Sequence, residues 1–191
     1  MDVKEYLLSL MAIVTGLAIA DMTVSLHGLL RRFRKVHWDW LPVVAAFFVF
    51  VLIVSSWWTS WTSNFEAMPH FVFVIIMFQL VALFLAAKAV LPDDRDGDRL
   101  DLLDHYRLSN RYVWLSLTVL SVLVIMPPVV EGRAFQEPAS FIGWVWIPLL
   151  YAGLSLILAC VQRMTLHRVL VPGFLVLHLV QVSAWSLTTP V

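Results

Sequence analysis

The chain has 191 residues, no formal net charge, 61% apolar residues and 14% charged ones. Soluble domains run at about 45–50% apolar and ~25% charged, so this composition excludes an ordinary soluble fold, and nothing in it points to nucleic acid. One cysteine, Cys160, leaves no internal disulfide to form.

The N-terminus places Asp2 and Glu5 around Lys4 before a long apolar run that ends in arginines. A cleaved signal peptide would begin basic and carry a shorter apolar core, so the first segment reads as retained. Crossing ~30 Å of hydrocarbon takes about 20 helical residues. Six stretches meet that length: Tyr6–Leu30, Leu41–Trp61, Phe71–Leu91, Tyr112–Val130, Phe141–Val161 and Val169–Leu187. The expected architecture is all-α, one six-helix membrane bundle over residues 1–191 with short loops. Pro42 falls in a first helical turn, where its missing N–H costs nothing. Pro148 and Pro172 lie inside the fifth and sixth spans and are expected to kink or locally unwind them.

Orientation follows from Lys and Arg. The loops after spans one, three and five, with their edges, hold eleven of the thirteen basic residues, and only Lys4 and Arg133 fall on the other side. The basic side is therefore cytoplasmic and both termini lie outside. Trp57, Trp58, Trp61, Trp144, Trp146 and Trp185 are expected at the outer interface. Trp38, Trp40, Tyr106, Tyr112 and Trp114 are expected at the inner one, since amphipathic rings favour the headgroup level.

Polar residues at depth are the candidate site. Asp21, near the midpoint of span one, is placed at the bilayer centre, where a carboxylate costs roughly 2.5–3.5 kcal/mol and faces a partner or a cavity. Ala18, Ser25 and Gly28 share its helix face, a small and polar surface suited to packing against another helix. Gln79 in span three (with Ala82 and Ala86 on its face), and His178 with Gln181 in span six, stand at similar depth. The expectation is one midplane cluster of Asp21, Gln79, His178 and Gln181, with Ser25, His27, Ser121 and Tyr151 as secondary members. Ser55 and Ser56, both nearer the outside, are the deepest polar residues of span two, so that helix is expected to face lipid most. The cluster reads either as a proton or ion pathway through a carboxylate and an imidazole or as hydrogen-bonded glue that locks the bundle. Ser and Thr mostly bond their own backbone carbonyls.

His27, His37, His105 and His167 gather near the basic boundary. Two at matched depth can ligate haem or a metal; the plainer reading is interfacial histidines bonded to headgroups or water, and none shows tight metal-ligand spacing. Asp93 to Asp98 faintly resembles a calcium loop, but its glycine is misplaced and no closing glutamate follows, so a solvated loop is expected. Leu100, Leu103 and Tyr106 suggest a short amphipathic helix leading into span four. Arg31, Arg32, Arg34 and Lys35 fit anionic headgroups, although the topology rule already accounts for them. There is no Gly-rich phosphate loop, no G-x-S-x-G, no H-E-x-x-H and no CxxC. Lys88, near the inner end of span three, is expected to snorkel.

The run Gly16-Leu-Ala-Ile-Ala-Asp21, the segment Leu26-His27-Gly28-Leu-Leu-Arg-Arg32, then Trp38-Asp39-Trp40-Leu41 and the Trp57–Trp58 pair resemble a family of small bacterial polytopic membrane proteins with no known function. The likeness covers about the first 60 residues and the His105–Tyr106 region. It implies a bacterial cytoplasmic (inner) membrane and nothing about activity. The functional expectation is a non-enzymatic subunit that associates with itself or with a larger membrane complex in the lipid bilayer. The alternatives are a proton- or ion-coupled transporter or channel using Asp21, and, behind both, a haem or quinone site in a redox chain.

Overall fold

The computed structural model describes residues 3–62, 69–93, 100–130, 136 and 138–188. Among them are six helices long and apolar enough to cross a membrane: α1 (Val3–Arg31), α2 (Trp40–Thr62), α3 (His70–Val90), α4 (Leu102–Val130), α5 (Pro138–Cys160) and α6 (Met164–Thr188). Around the bundle the order is α1, α3, α4, α5, α6, α2, with α2 also reaching across to α3 and α4.

That position corrects the expectation of a lipid-facing second helix. Leu41, Ala45, Phe48, Val49 and Ile53 of α2 are buried. They recur at spacings of three and four, one apolar stripe turned to the core. Small alanines let neighbours approach it closely, so lack of polar residues here marks centrality rather than exposure.

At 29 residues each, α1 and α4 extend ~43 Å, well beyond the 21-residue α3. Leu7 and Met11 of α1 pack with Val72, Ile76 and Leu80 of α3. Counting along both helices from that contact, Asp21 comes level with Lys88, in the last turn of α3. The stretch of α1 beyond Asp21 therefore runs on past the end of α3.

The Arg-rich links are tied together there. A 3-10 turn at Phe33–Lys35 leads into the two-residue strand β1 (Val36–His37), which pairs in parallel with β2 (Leu100–Asp101), Val36 opposite Leu100. Leu100 is thus in a strand and Tyr106 inside α4, so the separate amphipathic helix expected before span four is instead the first turns of α4. Asp39 caps α2, its Oδ1 accepting from the Leu41 N–H at 2.9 Å, while Oδ2 accepts from Arg168 at 3.2 Å. Asp101 repeats the arrangement on α4: Oδ1 accepts from the N–H groups of Leu103 and Asp104, and Oδ2 lies 3.1 Å from His37 Nδ1. A carboxylate at a helix N-terminus satisfies orphan donors and meets the positive end of the dipole.

Pro148 and Pro172 lie within helices that remain continuous by hydrogen-bond pattern. Trp58, Trp61, Trp146, Trp40 and Tyr112 are exposed, as an interfacial belt requires. Tyr106 and Trp114 are 0% exposed and belong to the core instead. The side chain of Trp185 lies outside the described residues.

Candidate functional site

The polar residues expected in one midplane cluster occupy three separate places. Among the described residues no hydrogen bond joins Asp21 to Gln79, His178 or Gln181. Asp21 pairs with Lys88, Nζ to Oδ1 2.9 Å, and Lys88 also holds Asp93 at 2.8 Å. Asp93 stands beyond the last residue of α3, which sets Asp21 level with the end of that helix rather than with its middle. The correction has a simple cause: α1 is longer than α3, so its own midpoint is not the midpoint of the bundle. Lys88 snorkels sideways to a carboxylate. The second oxygen, Asp21 Oδ2, is buried without a hydrogen-bond partner. Ala18 and Ser25, predicted on the same packing face, are indeed buried.

Gln79 serves the backbone. Its Nε2 donates to the carbonyl of Leu123 on α4 at 2.9 Å. In an unbroken helix that carbonyl would accept from the N–H four residues on, but position 127 is proline. Proline has no N–H, and an unpaired carbonyl in an apolar bundle is costly. Gln79 supplies the missing donor from the neighbouring helix. A proline inside span four was the available sequence signal, since it always frees the carbonyl four residues earlier.

The third place is the axis of the bundle. His178 of α6 lies between Tyr151 Oη of α5, 3.1 Å from Nδ1, and Ser55 Oγ of α2, 3.1 Å from Nε2. Tyr151 in turn donates to Gln181 Oε1 at 3.3 Å. One proton order satisfies every link: Ser55 donates to Nε2, the protonated Nδ1 donates to Tyr151, and Tyr151 donates to Gln181. Three turns along α6, on the same face, sits His167, which the sequence placed at the membrane surface. It is fully buried. Its Nε2 is 2.8 Å from the carbonyl of Val161, just past the end of α5, and its Nδ1 is 2.8 Å from Tyr106 Oη. A carbonyl only accepts, so the proton is on Nε2 and Nδ1 receives the Tyr106 hydroxyl. Tyr106 oxygen accepts the Trp114 indole N–H at 3.0 Å.

Aromatic rings join the two networks. Trp114 lies 5.8 Å from Phe174 and 6.2 Å from Phe48, and Phe48 lies 5.1 Å from Phe174. Tyr151 meets Phe174 edge-on at 4.9 Å and His178 at 5.9 Å. Edge-on and offset ring pairs at such distances are favourable beyond the area they bury. The result is a continuous column of side chains from His167 to Gln181, drawn from α2, α4, α5 and α6.

No family model, no curated protein and no solved structure matches the chain.

The remaining candidates are simpler. Ser121 donates to its own helix at Leu117, and Thr118 to Trp114. His105 lies 3.2 Å from the carbonyl of Ala89 in the last turn of α3, so it closes a helix end as His167 does for α5. His27 is exposed and His37 pairs with Asp101. Both ring nitrogens of His167 and of His178 are engaged within the protein, and among the described residues no three His, Cys, Asp or Glu side chains converge as a metal-ligand set. Asn110, fully buried on α4 between Tyr106 and Trp114, has neither amide atom bonded.

Proposed function

We propose that this chain is a non-catalytic subunit of a bacterial inner membrane, a rigid six-helix body that associates with copies of itself or with a larger membrane complex. On this reading the Arg-rich end is cytoplasmic and both termini lie outside. The observation that carries it is the ring column. The space between α2, α4, α5 and α6, where a bundle would hold a cofactor or a conduction path, is filled by Phe48, Trp114, Phe174 and Tyr151. The histidines at its two ends are bonded into closed networks. Among the described residues, the segments at the Arg-rich end are joined to one another by the pairing of Val36 with Leu100 and by the bond from Arg168 to Asp39. Such a body offers its partners outer surfaces, not an interior.

The test is purification in mild detergent with the particle mass measured, paired with reconstitution into liposomes. The expected outcome is a particle containing more than one copy or a co-purifying membrane protein, and no flux of protons or alkali cations. A monomer that supports flux overturns the proposal.

One observation favours a second reading, ion-coupled transport: the buried, unpartnered Oδ2 of Asp21 beside a lysine. An exchangeable carboxylate–ammonium pair is a means of coupling a proton to a conformational change. Under this reading Asp21→Asn abolishes flux while leaving the protein folded; under the first there is no flux to abolish.

A further inference from the structure

Of the basic residues at the Arg-rich end, several are already committed. Lys88 is held by Asp21 and Asp93, Arg168 by Asp39 and Arg107 by Asp104; Arg32 also has a partner. On the turn between α1 and α2 the balance is different. Arg31, Arg34 and Lys35 are exposed within five residues, with no carboxylate partner among the described residues. Phe33 beside them is 60% exposed, and Trp40, opening α2, is 48% exposed.

This turn is prebuilt. Arg32 N–H donates to Leu29 and Lys35 N–H to Arg32, at 3.2 and 2.7 Å. The Trp38 indole N–H donates to the Phe33 carbonyl at 3.2 Å, and the Phe33 and Trp38 rings lie 5.3 Å apart. Val36, the next residue, is buried and paired into the short sheet. The backbone that carries the three cations is therefore set before binding, and only their side chains remain to be ordered.

We propose that this turn binds the phosphate headgroup of an anionic phospholipid. Sequence position argues for the occupant: Leu30 closes the apolar run of α1 and Trp40 opens that of α2, so Arg34 and Lys35 stand at a boundary between apolar and polar chain. Exposed Phe33 and Trp40 suit the boundary between acyl chains and headgroups. Arginine forks match phosphate oxygens two at a time. Three uncompensated positive charges favour an anionic lipid over a zwitterionic one. The inference rests on the six helices crossing a bilayer, not on the subunit role.

The experiment uses the full chain in nanodiscs of phosphatidylcholine and phosphatidylglycerol in equal amounts, followed by native mass spectrometry of the lipids retained. Failure to enter nanodiscs would sink the spanning reading itself, which is a different result from loss of lipid preference. The wild type is expected to retain phosphatidylglycerol preferentially. Arg31→Gln/Arg34→Gln/Lys35→Gln is expected to lose that preference by about tenfold or more, taking roughly 1 kcal/mol for each cation. Arg111→Gln/Arg163→Gln removes two exposed cations from the same end and should keep it. Equal retention of both lipids by the wild type overturns the proposal. So does an equal loss in the control, which would mean net charge alone, or displacement by millimolar inorganic phosphate, which would mean a soluble-anion site. Should the triple variant misfold, Arg34→Gln alone, checked for an unchanged melting temperature, carries the same test with a smaller expected loss.

Discussion

Replacing Gln79 by methionine keeps the length of the side chain and removes the one donor that reaches Leu123. The carbonyl would then face an apolar bundle without a partner, because Pro127 offers none. Measured side-chain hydrogen bonds within membranes average ~0.6 kcal/mol and reach ~1.7, while orphaning a buried acceptor costs about 1–3 kcal/mol. The structure selects the upper part of the first range, since no alternative donor is at hand, so Gln79→Met should cost about 1–2 kcal/mol. Pro127→Ala restores a backbone N–H to the same carbonyl. In that background Gln79→Met should cost less than about 0.5 kcal/mol, a coupling of roughly 1 kcal/mol. Reversible unfolding in mixed micelles, followed by circular dichroism on all four proteins of the cycle, measures it. An equal loss in both backgrounds would refute the reasoning and leave Gln79 as mere packing.

Tyr106→Phe strands both the Trp114 indole N–H and His167 Nδ1, so it should cost about 2 kcal/mol in the same unfolding assay. Ser121→Ala, which removes only a bond within one helix, should stay within about 0.5 kcal/mol; comparable losses would contradict the network. Lys88→Gln leaves Asp21 without its cation, and Asp21→Asn/Lys88→Gln should recover most of the stability lost, whereas additive losses would argue against the pair. For orientation, single cysteines replacing Asn64 or Asp96 in a Cys160→Ser background distinguish the two sides. Asn64→Cys should react with an impermeant thiol reagent in intact cells and Asp96→Cys should not; the reverse pattern would invert the topology.

The six helices were legible because an apolar run of about 20 residues bounded by charge has few other uses. Their relative heights were not. Asp21 is central to α1 alone, and only contact with α3 shows that Lys88 is its level. Burial of α2 was hidden for a related reason: in a membrane, apolar residues face lipid and core alike, so composition does not separate the two. Tyr106, Trp114 and His167 looked interfacial by their distance from the arginines. Burial of Tyr106 and Trp114 follows from α4 starting ten residues earlier than the apolar run suggested, and His167 of α6 is buried against that extension through Tyr106. The sequence places Tyr151, His178 and Gln181 at shared depth, and the structure joins them, with Ser55 in place of Asp21.

The pairing of residues 36 and 37 with residues 100 and 101 also sets an order of assembly. It joins segments about sixty residues apart, so it cannot close until α2 and α3 have both been synthesised. Once closed, it presents Asp101 as the cap of α4 in fixed relation to the end of α1. The next fastening, Arg168 to Asp39 and His167 to Tyr106, waits for α6. Chain growth thus secures the Arg-rich end in two instalments, four helices first and the hairpin of α5 and α6 afterwards. A chain halted after α4 would already hold the links among its first four helices in register.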